Sequence, residues 1–203
     1  MDAESVITDH DWSTVVADLA DHGFVVRRGF FASVVTDALR ADLAGLHARR
    51  QFAQAGVGRN RVIHSQLRSD EIWWFDPVSL SLPQCAYLQT IEAFRLALNL
   101  HLQLAVFDFE CHYTIYQAGS HYSKHVDQPR GSNARVVSII TYLNHGWNAS
   151  DEGALRLFLP DGERDVLPEA GTLVAFFSKE LPHAVLAPRR DRYSVTGWLR
   201  HRE

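Results

Sequence analysis

Apolar positions recur at three and four over the first half of the chain, and at two beyond Phe107. Trp12, Val15, Val16 and Leu19 fall at i, i+3, i+4 and i+7 with Asp18 and Asp21 opposite, which predicts an amphipathic helix over 11–22. His22-Gly23 closes it, and Phe24-Val25-Val26 reads as a short apolar strand. A second helix is expected from Ser33, taken as its N-cap, to Ala48, with Val35, Leu39, Leu43 and Leu46 on its inner face. The polar stretch Gln51 to Asn60 reads as a loop. The run 61–76 is aromatic and β-branched toward its end and reads as a strand. A third helix over Pro83 to Leu100 spaces Tyr87, Ile91, Phe94 and Leu98 along one side. Three early helices are therefore expected to pack together on one side of a sheet.

From Phe107 the alternation is that of a strand. Phe107, Phe109, Cys111, Tyr113 and Ile115 share one face, while Asp108, Glu110, His112, Thr114 and Tyr116 share the other. Further strands are expected over Arg135–Asn144, Ala154–Leu159, Thr172–Ser178, His183–Ala187 and Arg192–Arg200. They are separated by turns at Gly131-Ser132-Asn133, Pro160-Asp161-Gly162 and Glu169-Ala170-Gly171. Helices first and short strands afterwards predict an α+β fold, a helix-backed β-sandwich or small barrel with a site in its open mouth.

Composition changes this picture little. The 203 residues suit one domain, with ordinary hydrophobic (46%) and charged (22%) fractions. No apolar run approaches the roughly 20 residues that span a bilayer. The acidic start M-D-A-E-S lacks the pattern of a signal peptide, so a cytoplasmic location is expected. Two cysteines, Cys85 and Cys111, are too few for a disulfide scaffold. The net charge of −4, with acids and bases interspersed, argues against a nucleic-acid face.

The chemistry gathers around Y-Q-A-G-S-H-Y-S-K-H-V-D (116–127). His125 and Asp127 stand two apart, so on an extended strand they project from one face. His183, in L-P-H-A-V, offers a second imidazole. Two histidines and one carboxylate leave open positions on a metal, the donor set of non-haem Fe(II) oxygenases. An oxygenase using 2-oxoglutarate also needs a cation for the distal carboxylate. Arg192 shares a strand face with Ser194, Thr196 and Trp198, and a guanidinium pairs with a carboxylate in two-pronged fashion. Ser138, Ile140 and Tyr142 share another face, which offers a tyrosine hydroxyl to the same anion. His64, His112 and His145, by contrast, read as structural histidines.

With these residues in view, the chain resembles the 2-oxoglutarate- and Fe(II)-dependent prolyl hydroxylases, in particular the branch of the oxygen-sensing HIF prolyl hydroxylases and their bacterial relatives. The resemblance runs from about Arg68 to Trp198. It rests on Tyr116, Gly119 and Tyr122-x-x-His125-x-Asp127, followed by Arg135, Tyr142-Leu143-Asn144, Trp147 and Gly153-x-Leu155-Arg156. Pro182-His183-x-Val185 and Arg192-Tyr193-x-x-Thr196-x-Trp198 complete the order. Upstream, R-S-D-E-I-W-W (68–74) resembles the strand that precedes the family's substrate loop.

The resemblance implies a double-stranded β-helix, a jelly-roll or cupin-like barrel, backed by the N-terminal helices. It implies one oxygenase domain over 1–203, with helical support and substrate-side strands in 1–105 and the catalytic β-core in 106–200. His125, Asp127 and His183 would bind Fe(II). Arg192 and Tyr142 would hold the distal carboxylate of 2-oxoglutarate, with Thr196 nearby. Tyr116, Leu155, Val185 and Trp198 would line the pocket. Arg68, Asp70 and Arg135 match positions of loop closure over the substrate, and an Asp70–Arg135 ion pair is expected in a closed state. The implied cosubstrates are 2-oxoglutarate and O2, with ascorbate as reductant, and the implied partner is a protein or peptide carrying a target proline. Nucleic-acid and membrane partners are not expected. Two other readings keep parts of this: the same chemistry on a free amino acid or other small molecule, and a non-catalytic metal- or ligand-binding module.

Overall fold

The computed structural model describes residues 12–56, 64, 66–128 and 134–202. The acidic N-terminal stretch, the 57–60 end of the expected loop, the start of the expected 61–76 strand and the turn at Gly131-Ser132-Asn133 lie outside them. In chain order the elements are α1 (Trp12–His22), β1 (Phe24–Arg27), α2 (Ser33–Ala48), β2 (Ala53–Gln54), β3 (Glu71–Trp74) and α3 (Leu82–Leu102). The strands β4 (Asp108–Tyr116), β5 (Tyr122–His125), β6 (Arg135–Tyr142), β7 (Leu155–Leu159) and β8 (Gly162–Val166) follow. The chain ends with β9 (Leu173–Phe177), β10 (His183–Val185) and β11 (Arg192–Arg200).

Two antiparallel sheets carry the fold. The larger has the order β1-β9-β6-β11-β4-β3-β2, the smaller β5-β10-β7-β8. Neighbours distant in sequence lie side by side, as a jelly roll requires. The three helices cover the back of the larger sheet, where Leu19, Leu39, Phe94, Tyr113, Ile139 and Leu199 belong to one buried cluster. A second cluster includes Tyr116, Ile140 and Tyr142 of the large sheet and Leu155, Leu157 and Val185 of the small one. The alternation read from the sequence decides which residues go where. In β4, Cys111, Tyr113 and Ile115 join the helical core, while Tyr116 joins the second cluster.

Some local expectations need correction. Ser33 does not cap α2; Ala32 occupies the N-cap and offers no side-chain acceptor. The strong cap belongs to α3, where Ser81 accepts from the Gln84 amide and the Gln84 side chain accepts from the Ser81 amide. β5 ends at His125, so Asp127 lies just beyond the strand rather than on it. β8 and the short β2 were not expected. The segment G-E-R-D-V is exposed at its first four positions, so it offers no apolar alternation to read.

β11 pairs with β4 over nine residues, from Arg192↔Tyr116 to Arg200↔Asp108. Close approach at Gly197 permits this. A Cβ there would lie 2.5 Å from the Phe109 ring and 2.6 Å from both Cys111 Cβ and the Glu110 carbonyl oxygen. Gly197→Ala is expected to cost about 1–3 kcal/mol through overpacking. Urea unfolding measures it; a midpoint equal to wild type would show that the strands part without cost.

Candidate active site

Strand pairing brings the two histidines together. His183 of β10 faces His125 of β5 in register, and their rings lie 4.2 Å apart. Each ring is oriented by a carbonyl. His125 Nδ1 donates to Ser123 O at 2.7 Å and His183 Nδ1 donates to Leu181 O at 3.0 Å. A carbonyl only accepts, so each Nδ1 carries a proton and Nε2 is the ring atom left to face a metal. Both Nε2 atoms turn to Asp127 Oδ1, at 3.5 Å from His125 and 3.7 Å from His183. The ligand atoms of the three residues all lie within 4.8 Å of one another.

Asp127 is held from behind. Ser138 Oγ donates to its Oδ2 at 2.7 Å and is linked to Ser178 Oγ at 2.9 Å. Ser178 O also accepts from the Asp127 and Gln128 amides. Burial opposes the carboxylate's charge. The His183 and His125 imidazoles and the Ser138 hydroxyl outweigh that, and hold Asp127 far below the usual carboxylate range. Burial also pushes His183 down to about 4, so it is neutral near pH 7. A carboxylate and two imidazoles whose Nε2 atoms converge on it suit a divalent metal.

Beside the triad lies a buried cation without a counter-charge. Arg192 is 1% exposed, and no ion pair to it is found among the described residues. Its Cζ lies 5.1 Å from the Tyr116 ring centroid and 4.9 Å from that of Tyr142. Arg192 Nε and Tyr142 Oη are buried and meet no hydrogen-bond partner among the described residues. Burial raises the Tyr142 phenol and Arg192 opposes it, so the hydroxyl keeps its proton. Unpaired buried donors of this kind are costly unless a ligand satisfies them. A guanidinium and a phenol together fit one carboxylate, which is the test that 2-oxoglutarate poses to this pocket. Along the same strand Thr196 Oγ1 is 3.4 Å from both Ser194 Oγ and Thr114 Oγ1.

Of the lining positions expected from the sequence, Tyr116, Leu155 and Val185 fall together in the cluster that contains Tyr142. Trp198 lies at the other end of β11, 6.1 Å from the Trp74 ring. The substrate-side residues form other ion pairs here than the one expected for a closed state. Asp70 is bound by Arg68, at 2.6 Å, and Arg135 by Glu110, at 2.9 Å. Arg135 also stacks 3.5 Å over Trp198 and reaches the Asp127 carbonyl at 3.4 Å. No Asp70–Arg135 pair forms among the described residues.

Ser138, Ser178 and Glu110 also support the site. Ser138 and Glu110 carry a signal, since they share the strand faces of Tyr142 and Tyr116; Ser178 carries none. His112, a structural histidine by its sequence, packs edge-on to Trp74 at 4.7 Å. Burial, with Arg68 second, pushes it down to about 3. Histidine in an unfolded chain titrates near ~6.5. The folded value is the lower one, so between these pH values the unfolded chain binds more protons and stability rises with pH. His183 contributes with the same sign. In the metal-free protein, His112→Met is expected to flatten the pH slope of unfolding free energy by up to about 1.4 kcal/mol per unit across that window. Urea unfolding at stepped pH reads the slope; an unaltered slope would mean that His112 does not stay neutral.

The match to known proteins is extensive. A model of the 2OG-Fe(II) oxygenase superfamily matches residues 111–200. Prolyl hydroxylase EGLN3 of Homo sapiens is 28% identical over 210 residues, covering 98% of this chain and 85% of that protein. A prolyl-4-hydroxylase of Pseudomonas putida is 40% identical with a TM-score of 0.87, covering 95% of this chain and 100% of that one. A prolyl hydroxylase from Trichoplax adhaerens, solved with a hypoxia-inducible-factor peptide, has the same fold at 24% identity. Its TM-score is 0.86, over 93% of this chain and 88% of that one. Fold, donor set and these similarities agree: the chain is an enzyme of the Fe(II)-, 2-oxoglutarate- and O2-dependent oxygenases, and belongs to their prolyl hydroxylase family.

Proposed function

We propose that the enzyme hydroxylates a prolyl residue within a protein, converting 2-oxoglutarate and O2 to succinate and CO2 as the C–H becomes C–OH. The observation that carries the chemistry is the partnerless buried Arg192–Tyr142 pair beside a triad of oriented ligands. In this reading Fe(II), held by His125, Asp127 and His183, supplies the oxidising power for an unactivated C–H once O2 and 2-oxoglutarate are present. The protein's part is orientation and exclusion of water. Arg192 and Tyr142 bind the distal carboxylate, with Thr196 close by. Tyr116, Leu155 and Val185 wall the cosubstrate in. Ser138 and the two carbonyl-bound Nδ1–H groups keep the ligand atoms convergent.

A peptide is favoured over a free amino acid by the charges at the mouth. A zwitterion needs unpaired partners for its ammonium and carboxylate, yet Arg68 and Arg135 are already engaged by Asp70 and Glu110. The relatives named as prolyl hydroxylases, one of them solved with a peptide, support the same acceptor.

We read the whole chain as one oxygenase domain, working in the cytoplasm with ascorbate to restore Fe(II). Cys85 and Cys111 are unpaired, in keeping with a reducing compartment. No described helix is long and apolar enough to cross a membrane. The deciding experiment incubates enzyme, Fe(II) and 2-oxoglutarate with proline-containing proteins or peptides, or with free L-proline. One oxygen atom gained on a peptide prolyl residue, with one succinate per product, is the expected result. Oxygen gained by free proline alone would move the reading to small-molecule hydroxylation. If 2-oxoglutarate neither binds nor turns over, a binding module takes first place.

A further inference from the structure

The segment leading into β3 is built against a metal ligand. Asp70 is fully buried and receives two bonds from Arg68, Nε to Oδ1 at 2.8 Å and Nη2 to Oδ2 at 2.6 Å. A two-pronged pair fixes the plane of the guanidinium as well as its position. Arg68 Cζ lies 4.4 Å from the centroid of the Tyr122 ring. Tyr122 in turn stacks on the His125 imidazole, with centroids 3.5 Å apart and planes 15° from parallel. The backbone pins this column at both ends of the bridge. The Ser69 amide donates to His121 O at 3.1 Å, and the Ser123 amide donates to Leu67 O at 2.8 Å.

The two histidines are supported differently. The His183 side chain is 4% exposed, with the Phe176 ring centroid 4.7 Å away. The His125 side chain is 15% exposed, and the hydrogen bond it makes among the described residues, to Ser123 O, fixes a single point of the ring. A bond at one atom leaves the ring plane to be set by what lies against its face. We propose that Tyr122, clamped by the Arg68–Asp70 pair, is the positioning residue that sets the ring plane of His125 and thereby the metal affinity of the site. Arg68 and Asp70 thus act on the metal side of the mouth. The inference rests on the reading of His125 as a metal ligand.

The test measures Mn(II) binding to metal-free enzyme by electron paramagnetic resonance. It adds the anaerobic charge-transfer band of the Fe(II)–2-oxoglutarate complex and the melting temperature of the metal-free protein. Groups behind a metal ligand typically contribute roughly 10–100-fold in affinity. Tyr122→Leu is expected to weaken Mn(II) binding by about that factor and to alter the band, whereas Tyr122→Phe, which keeps the ring, stays near wild type. Arg68→Lys keeps the charge without the planar fork and is expected to lose roughly tenfold. Wild-type affinity in Tyr122→Leu overturns the proposal. So does an equal loss in the Phe and Leu variants, or a lowered melting temperature with affinity and band unchanged. If Tyr122→Leu does not fold, Arg68→Lys decides, and wild-type affinity there overturns the proposal. His125→Ala serves as the control: unchanged Mn(II) affinity in that variant overturns the metal-site reading itself, and this inference with it.

Discussion

Arg192→Met is expected to abolish 2-oxoglutarate turnover while leaving the metal-free protein at least as stable as wild type. The two halves have one cause. Arg192 is an uncompensated guanidinium in a buried site, surrounded by Tyr116 and Tyr142 and without an acid among the described residues. Keeping such a charge buried costs free energy, and an apolar side chain of similar length removes that cost. With 2-oxoglutarate bound, the same guanidinium is the partner of a buried carboxylate. Truncating one member of such a pair costs about 2–5 kcal/mol, or roughly 30- to 3000-fold in affinity at about 1.4 kcal/mol per decade. Calorimetric titration of 2-oxoglutarate into the anaerobic Mn(II) enzyme gives the first quantity, and a thermal melt of the metal-free variant gives the second. A variant that melts well below wild type yet binds 2-oxoglutarate normally would make Arg192 a structural residue.

Asp127→Ala should eliminate Fe(II) binding, and succinate formation with it. Asp127 is the single carboxylate among the three clustered ligands and the one to which both Nε2 atoms point. Its loss should exceed the roughly 10–100-fold effect of changing a group behind a ligand. The pH dependence has a definite sign. The folded carboxyl lies below its unfolded value of ~3.9, so the stability it contributes is present above that value. It is lost as pH falls toward the folded one. Wild type should therefore lose stability on acidification below about pH 4 more steeply than Asp127→Ala. Metal titration and acid unfolding of the two proteins measure the two effects; tight Fe(II) binding by the variant would remove Asp127 from the ligand set.

Much of the site could be read from the period of the chain. Alternation of two put Arg192, Ser194, Thr196 and Trp198 on one face of β11 and Tyr142 with Ser138 on one face of β6. The register between these strands, Ser194↔Tyr142 and Trp198↔Ser138, carries both faces to the same side. The helices were legible because apolar stripes of 3.6 period need a core to cover, and β11 was legible from end to end. β8 was not, since a strand exposed at four of its five positions has no stripe to show.

What the sequence determined by itself is which face each side chain occupies and which donor types are available, because backbone geometry makes both local. Two histidines, an aspartate, an arginine and a tyrosine were enough to name a chemistry. Only the tertiary structure decided the partners. It set His125 opposite His183 through the β5–β10 register, gave Asp127 to Ser138, and left Arg192 without an acid among the described residues. It paired Asp70 with Arg68 rather than Arg135, and gave Arg135 to Glu110. Charges of one sign are interchangeable in a sequence. Their pairing depends on separations of a few ångströms, and those are fixed by contacts between strands far apart along the chain.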